Sequence, residues 1–191
     1  MTTLNSNTPD GRNWARQSAR VLSDPYVAAA LDIAERRIGD ARSVEDTRLD
    51  PYGIPQSVAE AVFWLAAVDE ALWPVQGYAE VRDSHDGGRL LPGIRLARNG
   101  AVHSLVPPTA PADVRPFISK PGDSYVLFIS SVVHWPAEPP RTTRKPTLAQ
   151  LTSYRNHLAN QPVDDTLRAA LRWLRGLQSK TDETRDGDEA T

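Results

Sequence analysis

Residues 57–74 read SVAEAVFWLAAVDEALWP, and this stretch carries the clearest structural signal in the 191-residue chain. Its apolar residues recur at helical intervals, which predicts one buried face formed by Val58, Ala61, Val62, Leu65, Val68 and Leu72. Ser57 and Glu60 make a capping-box pattern at the start, and Pro74 predicts the end of the helix. Acidic residues interrupt the apolar run, so it is too short and too charged to span a bilayer.

Aromatic residues add to this signal. Phe63, Trp64 and Trp73 are expected to widen the buried surface of the same helix, and Trp173 is expected to anchor a later one. Tryptophan also favours the centres of interfaces, so one or two of these residues could serve there instead.

Similar apolar spacing predicts helices on both sides of residues 57–74. Ser23-Asp24-Pro25 combines a capping side chain with proline at the first helical position, ahead of apolar residues from Val27 to Ile38. After a polar connector at 75–87, a third helix is predicted from Leu90 or Pro92 to Leu105. Apolar positions at 148–158 and 167–174 predict two closing helices.

Residues 107–146 differ from the rest of the chain because they are rich in proline. Within them, residues 125–129 and 132–135 are β-branched and aromatic runs split by two serines, which predicts one bent strand or a small hairpin. Strands do not alternate with helices in a way that supports a parallel sheet. The sequence therefore predicts a mainly α fold, a bundle of about four to five helices with a small β-hairpin insertion.

Composition and charge limit the class of protein. The chain has no cysteine, which excludes disulfides and thiolate metal sites and favours a reducing cytoplasm. The polar N-terminus lacks the apolar segment of a signal peptide. The net charge is −2, and the acidic end of the chain accounts for it, so the body lacks the broad basic surface of a dedicated duplex binder. We predict one helical domain at 13–178, between a disordered N-terminus at 1–12 and an acidic disordered tail at 179–191.

Six residues near the end of the third predicted helix, Arg98-Asn99-Gly100-Ala101-Val102-His103, combine groups suited to phosphodiester chemistry. Arginine binds phosphate through paired hydrogen bonds, and histidine transfers protons near neutral pH. Asn99 and His103 share a helical face, whereas Arg98 lies about 140° from His103 around the helix. Either the long arginine reaches round, or two copies meet across a two-fold axis. In the alternative interpretation, Arg98 and Asn99 are ordinary surface residues and His103 caps the helix.

The stretch from Leu90 to His103 resembles the signature helix of the HEPN superfamily of helical-bundle ribonucleases. That signature is an arginine, a polar residue that is often asparagine, a few variable residues and then a histidine, and Arg98, Asn99 and His103 fit it. The motif also follows two earlier amphipathic helices and precedes a closing one, as in that four-helix bundle. The resemblance covers the helices between about residues 25 and 178 and leaves 107–146 as an insertion.

The resemblance implies metal-independent cleavage of RNA, in which the ribose 2′-hydroxyl attacks the adjacent phosphate and leaves a cyclic phosphate. His103 would be the general acid or base, Arg98 would stabilise charge on the phosphate, and Asn99 would position the site. Arg95, one turn earlier, would add to a basic rim that binds substrate. The resemblance implies no metal or other cofactor, a homodimer, and a toxin or defence role in which an antitoxin or another protein is a further partner.

Two other interpretations stay open. The first is a catalytically inactive HEPN-like bundle that binds a partner protein or a nucleotide, and it expects an exposed apolar patch, for example near residues 125–135. The second is a structural bundle in which Arg98 stands alone in solvent and His103 only caps its helix. The ribonuclease interpretation instead needs both side chains accessible and converging, within one chain or across a dimer axis.

Overall fold

A computed structural model describes the backbone of residues 9–40, 53–104, 113–117, 128–132 and 134–188. Within these ranges the side chains at 9–13, 15, 53–55, 101–104, 113–117, 128–132 and 179–188 lie outside the described part. The described backbone is mainly helical, as the sequence predicts. No helix in these ranges has both the length and the apolar character needed to cross a membrane.

The elements in chain order are α1 (Pro9–Leu22), α2 (Pro25–Asp40), α3 (Gly53–Leu72), α4 (Tyr78–Asp83), α5 (Asp86–Arg89), α6 (Leu91–Ser104), β1 (Asp113–Phe117), β2 (Phe128–Val132), α7 (Leu148–Ser153) and α8 (Val163–Asp188). A π-helical turn, Tyr154–Leu158, continues α7.

Helix α3 is the centre of the bundle. It packs against α2 on one side and α6 on the other, and α8 contacts α1, α2, α3 and α5. The predicted apolar face of α3 is buried along its whole length. It contributes to one continuous core with Leu31 and Ile38 of α2, Ile94 of α6 and Leu174 of α8. Burial of these faces, rather than local helix propensity, supplies most of the stability of such a bundle.

The start of α2 confirms the prediction made from Ser23-Asp24-Pro25. Pro25 is the first helical residue, and a carboxylate oxygen of Asp24 accepts a hydrogen bond from the backbone N–H of Tyr26 at 2.8 Å. The start of α3 differs from the prediction, because the helix begins at Gly53 and Ser57 lies inside it. The capping box at Ser57 was therefore wrong, whereas the end of the helix before Pro74 is confirmed.

Two helical regions were missed in the sequence. Helix α1 begins at Pro9, so the predicted disordered segment 1–12 overlaps it, and residues 1–8 lie outside the described part. The connector at 75–87 contains α4 and the single turn α5, and it buries Tyr78 and Arg82. Both side chains make polar contacts with the buried Asp69. Apolar periodicity in the sequence does not reveal contacts of this kind.

The β element is built differently from the prediction. Strand β2 pairs antiparallel with β1, and the register runs from Asp113 opposite Val132 to Phe117 opposite Phe128. The two serines at 130 and 131 lie within one strand, which agrees with the alternative of a single strand and not with the alternative of a hairpin across them. Strand β1 lies in the proline-rich part of the chain, where the sequence predicted no strand.

The C-terminal helices follow the sequence more closely. Thr147 and Gln150 form a capping box at the start of α7, and Asn160 ends the π-helical turn region with a positive φ of 60°. Helix α8 continues to Asp188, into the segment predicted as a disordered tail, and its side chains from 179 onward lie outside the described part.

A close contact fixes the proline-rich segment against α6. A methyl group added at Gly100 would lie 2.5 Å from Cβ and 2.9 Å from Cγ of Pro140, so only glycine fits at this position without a shift. Gly100 is within the Arg98–His103 motif, which the segment around Pro140 therefore adjoins. Glycine has a low helix propensity, but its lack of a side chain at position 100 allows this close contact with Pro140.

We predict that Gly100→Ala lowers the free energy of unfolding by about 1 kcal/mol. Overpacking against Pro140 costs about 1–3 kcal/mol, which exceeds the gain of about 1 kcal/mol in helix propensity. Urea denaturation measures the change. The matched control is Gly176→Ala in α8, where an added methyl group meets nothing within 4 Å, and this change is expected to raise the free energy. An equal gain in both variants would contradict the Pro140 contact.

Candidate functional site

The Arg98 guanidinium is held by a carboxylate of the neighbouring helix. Its two terminal nitrogens donate to the two carboxylate oxygens of Glu70 in α3, each at 2.7 Å. This paired arrangement is the strongest geometry for an arginine–carboxylate contact. The Arg98 side chain keeps 20% of its surface exposed. Arg98 therefore does not stand alone in solvent, contrary to the interpretation of the chain as a purely structural bundle.

Asn99 also contacts Arg98. Its side-chain oxygen accepts from Nε of Arg98 at 3.3 Å and from Nη2 at 3.1 Å. Together, Glu70 and Asn99 engage all three nitrogens of the guanidinium and fix its orientation. The role of Asn99 in positioning a catalytic site stays a prediction.

Arg95 lies one turn before Arg98 on α6 and contacts the same two acidic residues of α3. Its Nη1 lies 3.3 Å from a carboxylate oxygen of Asp69, and its Nη2 lies 3.7 Å from Glu70. The Nε atom of Arg95 is buried without a hydrogen-bond partner among the described residues. Two carboxylates thus compensate the charge of Arg95, so it is not the free basic rim that the sequence suggested.

Asp69 is the buried centre of this cluster. Its side chain is fully buried, and one oxygen accepts a hydrogen bond from the Tyr78 hydroxyl at 2.7 Å. Arg82 of α4 lies 3.8 Å from the same oxygen. Burial raises the pKa of Asp69, although the hydrogen bond from Tyr78 and the nearby Arg82 and Arg95 guanidinium groups oppose the rise. Burial likewise raises the pKa of Tyr78, so its hydroxyl stays protonated and donates.

Sequence analysis missed Asp69, Glu70, Tyr78 and Arg82 as members of the site. Asp69 and Glu70 stand out only as charges in an otherwise apolar helix. Since buried charges are paired in native proteins, such residues indicate cationic partners on a facing helix. That signal was present at 57–74 and could have been matched with the arginines of α6.

Trp73 covers the cluster from outside. It follows the last residue of α3 and is 51% exposed, whereas the sequence predicted that it would be buried. The guanidinium carbons of Arg82 and Arg95 lie 5.1 Å and 5.3 Å from the centroid of its ring, within cation–π range. An exposed aromatic face therefore adjoins the arginine–carboxylate network.

His103 can be placed only by its backbone. It lies in the last turn of α6, five residues after Arg98, and its side chain is outside the described part of the chain. Its position on the helix is next to that of Gly100, three residues earlier. The segment that packs on Gly100 also carries Arg141, Arg144 and Lys145, which are exposed. These cations make no ion pair with a carboxylate among the described residues.

The hydrogen bonds from Arg98 lower the pKa of Glu70 below its usual 4.5. Because the pKa is lower in the folded state than in the unfolded chain, this pair stabilises the fold above about pH 4.5 and is lost as the pH falls further. We predict that the Glu70→Gln variant loses less stability than the wild type when the pH falls from about 5 to about 3. At neutral pH the substitution costs at most about 1 kcal/mol, because Glu70 is partly exposed.

Urea denaturation at a series of pH values tests this prediction. Arg98→Gln should flatten the profile to the same extent, and the double variant should add nothing further, since both changes remove one interaction. Independent effects of the two substitutions would contradict the pairing.

The described residues contain no group of three or more His, Cys, Asp or Glu side chains that could hold a metal ion. Comparisons of the chain with protein-family models, with curated proteins and with solved structures each gave no match.

Proposed function

We propose that this chain is a metal-independent endoribonuclease in which Arg98, Asn99 and His103 act on one phosphodiester, as the resemblance to HEPN proteins implies. The observation that carries the proposal is the guanidinium of Arg98, which Glu70 and Asn99 hold in one orientation on the helix that also carries His103. A cation fixed in advance stabilises the charge that builds on a phosphate during attack.

In the proposed reaction, the ribose 2′-oxygen forms a bond to phosphorus while the bond from phosphorus to the 5′-oxygen breaks. The products are a cyclic phosphate and a free 5′-hydroxyl. A base must take the proton of the 2′-hydroxyl, and an acid must supply one to the leaving 5′-oxygen. His103 is proposed for one of these transfers, and Arg98 for the charge on the phosphate oxygens.

The proposal also includes the setting of the reaction. Two copies would form a homodimer in which two motifs share one cleft, and the cytoplasm would be the location, in keeping with the absence of cysteine. RNA would be the substrate, and an antitoxin or other protein would control the activity in a toxin or defence system.

The second candidate is an inactive HEPN-like bundle that binds a partner protein or a nucleotide. The specific observation in its favour is the occupied guanidinium of Arg98, since a phosphate would have to displace Glu70 to reach it. A structural arginine–carboxylate pair between α3 and α6 would have the same geometry.

The deciding experiment is cleavage of several RNAs by the purified protein with EDTA present. We expect cleavage to survive chelation, to leave cyclic phosphate ends, and to fall by at least about 100-fold in Arg98→Ala and in His103→Ala. Arg172→Ala and His157→Ala remove the same residue types elsewhere and should keep wild-type activity. No cleavage by a well-folded protein would favour the inactive bundle.

A further inference from the structure

Trp73 is an aromatic ring left half exposed where the sequence predicts burial. Arg82 is almost wholly buried, and Arg95 contacts the same buried carboxylate, Asp69, so both guanidinium groups near the ring are anchored to the protein. About half of Trp73 remains exposed to solvent beside these contacts. Cation–π contacts hold the ring in place, and its exposed part is open to a ligand.

This surface is next to the candidate phosphate site. Arg95 joins the two, because its guanidinium lies against Trp73 and also contacts Glu70, which binds Arg98. Arg95 and Arg98 are one turn apart on α6. Because about one helical turn, or ~5 Å along α6, separates Arg98 from the arginine that contacts Trp73, a strand with a phosphate at Arg98 would pass near this ring.

We propose that Trp73 is a stacking platform for an unpaired base of a single RNA strand. The inference rests on the proposed function, because it takes the strand at Arg98 to be RNA. Every nucleobase has a π face, so a single tryptophan binds without a sequence code, and single-stranded RNA is the form whose bases are free to stack on aromatic side chains. The platform positions the strand and takes no part in proton transfer.

The test uses binding of a single-stranded RNA whose riboses are all 2′-O-methylated, so that it cannot be cleaved by attack of the 2′-oxygen. Fluorescence anisotropy of this labelled strand gives the dissociation constant for the full-length protein. Trp73→Ala is expected to weaken binding by between about fivefold and about a hundredfold, the range found when one stacked base loses its aromatic partner. Trp73→Phe keeps a ring and should stay close to the wild type.

Trp73→Leu separates stacking from simple bulk. It keeps an apolar side chain without a π face and should bind as weakly as Trp73→Ala. If the alanine variant does not fold, the comparison of Trp73→Leu with Trp73→Phe decides the question. Tyr26→Ala is the matched control, because Tyr26 is an exposed aromatic residue on α2, 86% accessible, and its loss should leave binding unchanged. The dependence of binding on salt should have the same slope in all variants, since no phosphate contact is removed.

The outcomes separate this inference from the proposed function. If the wild type cleaves RNA and all Trp73 variants bind the methylated strand equally well, the platform is wrong and the ribonuclease stands. If the wild type binds but does not cleave unmodified RNA, and Trp73→Ala and Trp73→Leu bind weakly, the platform stands and the ribonuclease is wrong. If the wild type does not bind the strand, or if Trp73→Leu binds like the wild type, the platform is overturned.

Discussion

Asp69→Ala is expected to lower the free energy of unfolding by about 3–5 kcal/mol, the range for removing one member of a buried ion pair. Asp69 is fully buried at the centre of the cluster that joins α3, α4 and α6. Its loss leaves the Tyr78 hydroxyl and the Arg82 and Arg95 guanidinium groups without their shared acceptor. Buried donors without partners carry the full cost of desolvation. Urea denaturation with far-UV circular dichroism measures the change.

Two matched variants show whether charge or contact matters. Asp69→Asn should cost less than Asp69→Ala, because an amide oxygen still accepts from Tyr78, although Arg82 and Arg95 lose a charged partner. Asp83→Ala removes the exposed partner of Arg82 and should cost less than about 1 kcal/mol. An alanine variant at position 69 as stable as the Asp83 variant would show that the buried cluster does not hold the helices together.

The same cluster shows where sequence analysis succeeds and fails. The helices at 25–40, 53–72 and 91–104 could be predicted because each buries an apolar face, and apolar periodicity reports that burial directly. Helices α4 and α5 could not, since Tyr78 and Arg82 are buried by polar contacts with a residue of another helix. Such pairing depends on the packing of α3 against α4, which no local pattern encodes.

The candidate site shows the same limit. The motif placed Arg98 and Asn99 together, but its spacing contains no information about Glu70, which binds Arg98 from 28 positions earlier in the chain. Trp73 was assigned to the core because large aromatic residues are usually buried, whereas it contacts arginines from two other helices and stays half exposed. Both residues take their roles from neighbours on other helices.

The error in the β element has a local cause. Strand β1 contains Pro116, which cannot donate a hydrogen bond and therefore indicates a loop or an edge strand. In a sheet of two strands every strand is an edge, so the proline is tolerated. Of the two alternatives predicted for residues 125–135, the single strand is therefore the one observed, and its partner is β1, from the segment before it.

Trp135→Ala is expected to lower the free energy of unfolding by about 3–5 kcal/mol, as for other large buried aromatic residues. Trp135 is fully buried, and its ring packs edge-on against Tyr154 of the π-helical turn with centroids 6.4 Å apart. Its indole N–H donates to the Thr166 hydroxyl at 2.7 Å. The backbone N–H of Trp135 donates to the carbonyl of Gln161, and its carbonyl accepts from the N–H of Asn160. Both its main chain and its side chain are therefore bonded to neighbouring residues.

Trp135→Phe separates the ring from the hydrogen bond. Phenylalanine keeps most of the apolar volume, and Thr166 can still donate to the carbonyl of Val163, so this variant should cost about 1–2 kcal/mol. Trp73→Ala is the control for removing an exposed tryptophan and should cost no more than about 2 kcal/mol, the size of a cation–π contact. Equal losses at positions 73 and 135 would contradict the anchoring role of Trp135.

Trp135 also bears on the candidate site, because it begins the segment that carries Pro140 onto Gly100 of α6. If Trp135 anchors that segment, Trp135→Ala should speed hydrogen exchange of the Asn160 amide, which donates to the Trp135 carbonyl, while amides in the middle of α3 change only through the global loss of stability. Uniform acceleration throughout the chain would mean that the segment unfolds only with the whole bundle. Selective acceleration would show that the segment from Trp135 to Pro140 opens without unfolding of the whole bundle, and that Trp135 controls the frequency of this opening.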